Sequence, residues 1–361
     1  MKVLLISPKS GIVGGIAIWT KNILLGLEDR REIEVQLNDF SREITGQMIK
    51  NPVKKYFFAL KDYFRLTSIA TSNIREFDGT KVHICSSASF LLLKDLFLIK
   101  ACKRKRLESI IHFHFGRIPD LACCQNWEWK LIKLVCKQAD KVIVMDKKSF
   151  DTLSESGFKN INLLPNPISD ETKRLIEKID ITKKENSLLF AGHCIPTKGV
   201  FELIEACKNI PNIHLTMLGA ITAEMKRTLI SIAGEKYQQW LDIKGEVSYE
   251  DTLRYMKRAS IFILPTYTEG FPNVILESMA CRCCIIACSV GAIPEILEDE
   301  KLQHYGVLIC PKSSVVLQEA IENTLSNQKM ILECANNARK RVYERYNVQA
   351  ICNKLVEIWE N

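Results

Sequence analysis

Apolar residues in this chain cluster in short runs separated by helical stretches. Residues 3–7 and 261–264 are continuous apolar runs, the pattern of strands buried on both faces of a parallel sheet. Further strands read at 32–40, 81–85, 109–116, 141–146 and 161–164, then at 187–191, 214–218, 241–244 and 284–287. Helical patterns lie between them, among them 47–74, 89–106, 127–139 and 199–207. Strands alternating with helices predict parallel, doubly wound sheets. The Pro-Asn-Pro-Ile stretch at 165–168 marks a boundary, because proline restricts itself and the residue before it. A charged connector, 170–186, leads into the second strand–helix series. A last helix reads from 332 to 359 and has no partner nearby in the chain.

The richest stretch is 261–277, Ile-Phe-Ile-Leu-Pro-Thr-Tyr-Thr-Glu-Gly-Phe-Pro-Asn-Val-Ile-Leu-Glu. Pro265 ends the strand, and Thr266, Thr268 and Glu269 occupy a polar loop. Pro272 falls near the first helical position, where a missing N–H costs nothing. Glu277 follows about one turn into the helix. Ligands of open α/β sheets bind outside the carboxyl ends of the strands, and a helix start offers unpaired N–H groups to an anion. Carboxylates there suit hydroxyl groups and backbone donors suit phosphate. Taken alone, the two glutamates read as ordinary surface acids.

Other candidates are weaker by themselves. Gly11, Gly14 and Gly15 permit a tight first turn, but their spacing is neither G-x-G-x-x-G nor a phosphate loop. His112 and His114 project to one side of the 109–116 strand near its carboxyl end. Within 47–74, Lys50, Lys54, Lys55, Lys61 and Arg65 interleave with aromatic residues, which fits a membrane interface or a core-facing helix with solvated lysines. The Lys-Arg-Lys-Arg run at 103–106 also opposes the negative end of a helix dipole.

Length and charge narrow the classes. A chain of 361 residues exceeds what one core usually organises, so two domains are expected. The net charge of +8 is uneven, with 27 lysines and arginines against 18 acids through residue 170 and 23 against 24 beyond it. A basic first half calls for an anionic partner. The 14 cysteines lack small-domain spacing and read as reduced thiols, and Cys281–Cys284 finds no second pair to complete a metal site. No apolar run is long enough for a signal peptide or a membrane span.

Several pieces together resemble glycosyltransferase family 4, retaining nucleotide-sugar enzymes with the GT-B fold. They are Glu269 and Glu277 as E-x7-E, the Gly192…Lys198-Gly199 segment, Gly-Ala-Ile-Pro-Glu at 291–295, and the Gly14–Gly15 pair. The resemblance implies an α/β fold of two Rossmann-like doubly wound domains facing a cleft. Residues 1–168 would bind acceptor, 169–341 would bind the nucleotide-sugar, and 342–361 would cross back as a helix to the first domain. It maps the sugar contact onto Glu269 with Gly270, Phe271, Pro272 and Asn273. Nucleotide contacts fall on Val274 and Glu277, and diphosphate contacts on Gly14, Gly15, His193 and Lys198. His114 is the match for a histidine beside the reacting sugar.

The implied activity moves a sugar from a UDP- or GDP-sugar to a glycan acceptor linked to a polyprenyl diphosphate, in surface polysaccharide biosynthesis. No cofactor or metal is expected, since no Asp-x-Asp occurs and the protein's own cations would do a metal's work. A cytoplasmic protein, peripheral on the inner membrane face through its basic first domain, is the expected setting, with no nucleic acid partner. One departure matters most: His193 stands where the family carries an always-charged arginine. Arg282 and Cys284 also replace the usual Gly and Pro of the turn after the glutamate helix. The alternative is a catalytically silent relative that binds a nucleotide-sugar beside a partner enzyme. An NAD-dependent oxidoreductase lacks its glycine fingerprint, and a nucleic-acid binder its concentrated basic stripe.

Overall fold

The computed structural model describes residues 1–9, 14–41, 52–298 and 305–361, with backbone only for 52–59. Gly11, Lys50 and the side chains of Lys54 and Lys55 lie outside the described residues. The chain forms two compact units, Met1–Asn166 together with Val348–Asn361, and Pro167–Asn347. The boundaries anticipated at 168 and 341 thus fall at 166 and 347.

In the first unit the strands are β1 (Lys2–Ser7), β2 (Glu34–Asp39), β3 (Lys81–Ser86), β4 (Glu108–Phe113), β5 (Lys141–Val144) and β6 (Ile161–Leu163). They pair in the order β2-β1-β3-β4-β5-β6, and every pairing is parallel. Successive side chains of a strand point to opposite faces. Leu4, Ile6, Val82, Ile84, Ile111 and Phe113 therefore join one core, while Val3, Leu5, Ile110 and Ile143 join another.

The second core is closed by helix Gly15–Leu27 and by the last helix, Val348–Glu360. Gly26 makes their close approach possible, because a Cβ there would sit 2.7 Å from Cys352 Sγ and from Val348 Cγ2. Trp359 is fully buried on this side. The expected single helix over 332–359 is in fact two, Gln328–Arg345 and Val348–Glu360. They part at Tyr346-Asn347, where the Asn347 side-chain amide donates to the carbonyls of Tyr343 and Glu344 and ends the first of them. The Ile168 N–H donates to the Tyr346 carbonyl at 2.7 Å, tying the two chain crossings together.

In the second unit the strands are β7 (Lys184–Ala191), β8 (His214–Leu218), β9 (Leu241–Gly245), β10 (Ala259–Leu264), β11 (Cys284–Cys288) and β12 (Val307–Ile309). Their order is β12-β11-β10-β7-β8-β9, again all parallel. This is the doubly wound order whose direction reverses between its first strand, β7, and its fourth, β10. All of β10 and β11 is buried, as their unbroken apolar runs require. The connector at 170–186 holds a helix, Asp170–Lys178, whose cap Ser169 accepts from the Thr172 N–H. Cys281, Cys283, Cys284 and Cys288 are buried free thiols, small apolar residues in a core.

Candidate functional site

In the second unit the loops after β7 and β10 meet at the reversal point. The Tyr267 N–H donates to the Thr197 carbonyl at 2.9 Å, and the Thr266 hydroxyl lies 3.3 Å from the same oxygen. Gly199 has φ +70°, and a Cβ there would stand 2.0 Å from the Pro265 carbonyl oxygen, so only glycine lets the loops touch. Residues 196–198 form a single 3-10 turn before helix Val200–Cys207. That turn directs Lys198 onto Glu269, and the two side chains form a hydrogen-bonded ion pair across the loops.

The Gly-Ala-Ile-Pro-Glu segment supports Glu269 from the other side. Gly291, at φ +54°, has room for no Cβ, because one would lie 2.2 Å from the Glu269 carbonyl oxygen. The Ala292 N–H donates to the Gly270 carbonyl at 3.0 Å. Arg341 anchors this segment in turn, donating to the carbonyls of Glu295, Ile296 and Glu298 at the carboxyl end of helix Ile293–Leu297. Three motifs distant in sequence therefore converge on one loop.

Beyond that loop, Phe271 and Pro272 are buried and Asn273 and Val274 are half-buried. Pro272 is the cap of helix Asn273–Ala280 rather than its first residue, and its side chain makes no capping hydrogen bond. Glu277 accepts a hydrogen bond from the Tyr249 hydroxyl at 3.0 Å. Tyr249 also bonds Thr172 at 2.9 Å, and Thr172 bonds Ser169 at 2.8 Å, so a hydroxyl chain ends on the carboxylate. Burial pushes the Glu277 carboxyl up to about 7, against the hydrogen bond from Tyr249, which favours its charged form. His193 is exposed on the loop after β7 and makes no side-chain hydrogen bond among the described residues.

In the first unit, Gly14 precedes helix Gly15–Leu27, and neither Gly14 nor Gly15 has a described atom within 4 Å of the place a Cβ would take. The strand expected to reach 116 ends at Phe113, which puts His114 in the following loop. His112 and His114 do lie together, with ring centroids 3.9 Å apart. His83, unremarked in the sequence, joins them with its ring centroid 5.4 Å from that of His112. The Trp359 indole N–H donates to His83 Nδ1 at 3.0 Å, and Trp19 stacks on His83 at 5.5 Å.

Burial lowers His83 and His114 to about 3 and holds His112 well below the ordinary imidazole range, so all three are neutral. His83, Cys85 and His112 bring potential metal-ligand atoms within 4.8 Å of one another. The donor chemistry fits an ion poorly. Trp359 occupies the His83 Nδ1 lone pair, which leaves the ring proton on Nε2, and burial pushes the Cys85 thiol up to about 12.

Sequence reasoning missed Tyr249 and His83. Tyr249 sits 28 residues from Glu277 on a different helix, and His83 looks like any strand residue. Neither belongs to a short motif.

Residues 171–341 match the family model described as glycosyl transferases group 1. The chain is similar to the capsular polysaccharide biosynthesis glycosyltransferase CapM of Staphylococcus aureus, 23% identical over 66% of this chain and 60% of that protein. It is also similar to the N,N'-diacetylbacillosaminyl-diphospho-undecaprenol alpha-1,3-N-acetylgalactosaminyltransferase of Campylobacter jejuni, 23% identical over 94% of this chain and 93% of the relative. With other bacterial and archaeal glycosyltransferases the match spans about half of the relative's length. Among solved structures, Anabaena HepE in complex with UDP superposes with a TM-score of 0.72 at 16% identity, covering 100% of both chains. The fold is thus the two-unit α/β fold of that structure.

Proposed function

With residues 171–341 taken as a group 1 glycosyl transferase domain, we propose that this protein transfers a sugar from a nucleotide-sugar to a glycan acceptor, retaining the configuration at the sugar carbon and needing no metal. The observation that carries the reading is the Lys198–Glu269 pair, held across the two loops at the β7–β10 reversal. A cation and an acceptor side by side can serve the two halves of a breaking sugar–phosphate bond. Lys198 stabilises the negative charge that develops on the departing diphosphate, aided by His193 and by the start of helix Asn273–Ala280. Glu269 accepts from sugar hydroxyls, next to a ring that gains positive charge. Glu277 accepts from the ribose, and its ionised form is the one that binds.

The donor is a UDP- or GDP-sugar, a choice in which the UDP of the HepE structure favours uridine. The acceptor is a glycan on a polyprenyl diphosphate, as the Campylobacter jejuni relative's name describes for that enzyme. Such an acceptor places the reaction at the cytoplasmic face of the membrane; no helix among the described residues is long and apolar enough to cross it.

The test is transfer itself: labelled UDP- and GDP-sugars incubated with undecaprenyl-diphosphate-linked glycan, with and without chelator, and the product's anomeric configuration read by NMR. Transfer with retention, unaffected by chelation, supports the reading. Inversion or chelator-sensitive turnover contradicts its mechanism. Donor binding without turnover on any such acceptor supports the silent relative, for which His193 in place of arginine is the motivating observation.

A further inference from the structure

Three helices pack side by side over one face of the first unit's sheet: Pro52–Glu76, Leu91–Lys105 and Trp127–Gln138. Their outward sides carry an unusual set of residues. Along the second helix, Leu93, Phe97, Lys100 and Arg104 are exposed at helical spacing, apolar at the start and basic at the end. Along the third, Trp127, Lys130, Leu134 and Lys137 are also exposed at helical spacing, apolar and basic in alternation. The first adds Leu60, Lys61, Phe64 and Arg65. Phe64 is 62% exposed, Phe97 61% and Phe90 68%, far more than a core-forming aromatic leaves in water.

Charge is sorted by face as well. The described acids of these helices are Asp62, Asp95, Glu128 and Glu76, and the first three are buried. Asp62 pairs with Arg65, Asp95 with the buried Lys94, and Glu128 with Arg117. Glu76 alone faces solvent, at the far end of its helix. What remains outward is cationic and aromatic. Glu128 has a second task, since it accepts the Ser89 N–H at 2.5 Å and holds Ser89 at φ +76°. That strained conformation presents Phe90, which stacks on Trp127 with centroids 4.8 Å apart at the edge of the patch.

We propose that this helical layer docks on a bilayer containing anionic lipid, with Phe64, Phe90, Phe97 and Trp127 entering the headgroup region and Lys100, Arg104, Lys130 and Lys137 meeting lipid phosphates. The occupant is set by two complementarities at once. Cations with one exposed acid, at the far end of a helix, attract an anionic surface, and protruding side chains with no polar atom, such as Phe64, Leu93 and Phe97, gain nothing from a solvated polyanion but bury area in lipid. The surface stands apart from the transfer reaction, because vesicle binding needs neither donor nor acceptor.

The test is co-sedimentation of the full chain with vesicles of phosphatidylcholine alone and with equal parts phosphatidylcholine and phosphatidylglycerol. Binding to the mixed vesicles only, weakening as salt rises, is expected. The Phe64→Ser/Phe97→Ser variant should partition at least tenfold more weakly, and Lys100→Glu/Arg104→Glu should lose the preference for anionic vesicles. Phe64→Leu/Phe97→Leu, which keeps the apolar surface, should retain binding and so separates docking from misfolding. The proposal fails if the mixed vesicles do not bring the protein down, if both double variants bind like the parent, or if single-stranded RNA is bound while vesicles are not.

Discussion

The Tyr249 hydroxyl and the Glu277 carboxylate share a hydrogen bond of 3.0 Å, and this bond opposes the burial that pushes Glu277 up to about 7. With the folded value above the ordinary 4.5, the native state holds a proton that the unfolded chain releases. The stability contributed by Glu277 is therefore full below 4.5 and lost as pH rises through about 7. Binding runs the other way in the proposed reading, in which ribose hydroxyls donate to the ionised carboxylate. Nucleotide affinity should rise between pH 6 and 8 by about tenfold, in line with single-group titration. Glu277→Gln should abolish that rise while leaving thermal stability at pH 8 equal to the parent's or higher. Calorimetric titrations across pH check the first outcome and melting curves the second.

Tyr249→Phe removes the donor and leaves the carboxyl. The midpoint of the nucleotide-affinity curve should move to higher pH, and stability should fall by about 1 kcal/mol for the lost hydrogen bonds. A curve that stays in place would show that Tyr249 does not tune Glu277.

His193 offers its imidazole to solvent where a permanent cation is expected. A guanidinium binds a diphosphate bidentately with a permanent charge, which an imidazole does not offer. His193→Arg should tighten donor binding several-fold, and His193→Ala should weaken it. If His193→Ala leaves donor affinity unchanged, His193 does not touch the diphosphate.

Gly199→Ala would place a Cβ 2.0 Å from the Pro265 carbonyl oxygen at a backbone φ of +70°. The two loops must separate, at a cost of about 2–4 kcal/mol. The Lys198–Glu269 pair should be lost with them, so donor binding falls further than stability does. Thermal melting beside donor titration distinguishes the two effects.

The histidine group of the first unit gives a separate pH signature. His83, His112 and His114 sit below the ordinary 6.5, so their contribution to stability is present above 6.5 and is lost as pH falls below it. Each histidine that takes up a proton only on unfolding removes about 1.4 kcal/mol per pH unit below that value. The first unit should melt at sharply lower temperature at pH 5 than at pH 7. His112→Leu removes one such proton, and also two buried ring nitrogens that have no hydrogen-bond partner among the described residues, so its curve should be flatter. Parallel curves for parent and variant would contradict this.

Much of the fold was legible because buried parallel strands announce themselves. The runs at 3–7 and 261–264 became β1 and the end of β10, and the glycines at 199 and 291 stand where φ is positive and backbones touch. Other features depended on packing that no local pattern records. The break at Tyr346-Asn347 contains neither proline nor glycine, and the helical pattern runs through it; only the cores on either side show that two helices are present. Tyr249 reaches Glu277 from another helix, and His83 receives its hydrogen bond from Trp359, 276 residues on. Side-chain exposure was equally hidden, since no local pattern shows that Asp62, Asp95 and Glu128 are buried.

The most direct test of nucleotide-sugar binding at the β7–β10 reversal is calorimetric titration of UDP, UDP-sugars, GDP and GDP-sugars into the parent, Glu269→Gln and Glu277→Gln. One nucleotide-sugar should bind the parent, Glu277→Gln should weaken free nucleotide and nucleotide-sugar alike, and Glu269→Gln should weaken the nucleotide-sugar while leaving the free nucleotide unchanged. A parent that binds no nucleotide-sugar, or a Glu269→Gln variant that loses free nucleotide as severely as nucleotide-sugar, would contradict it.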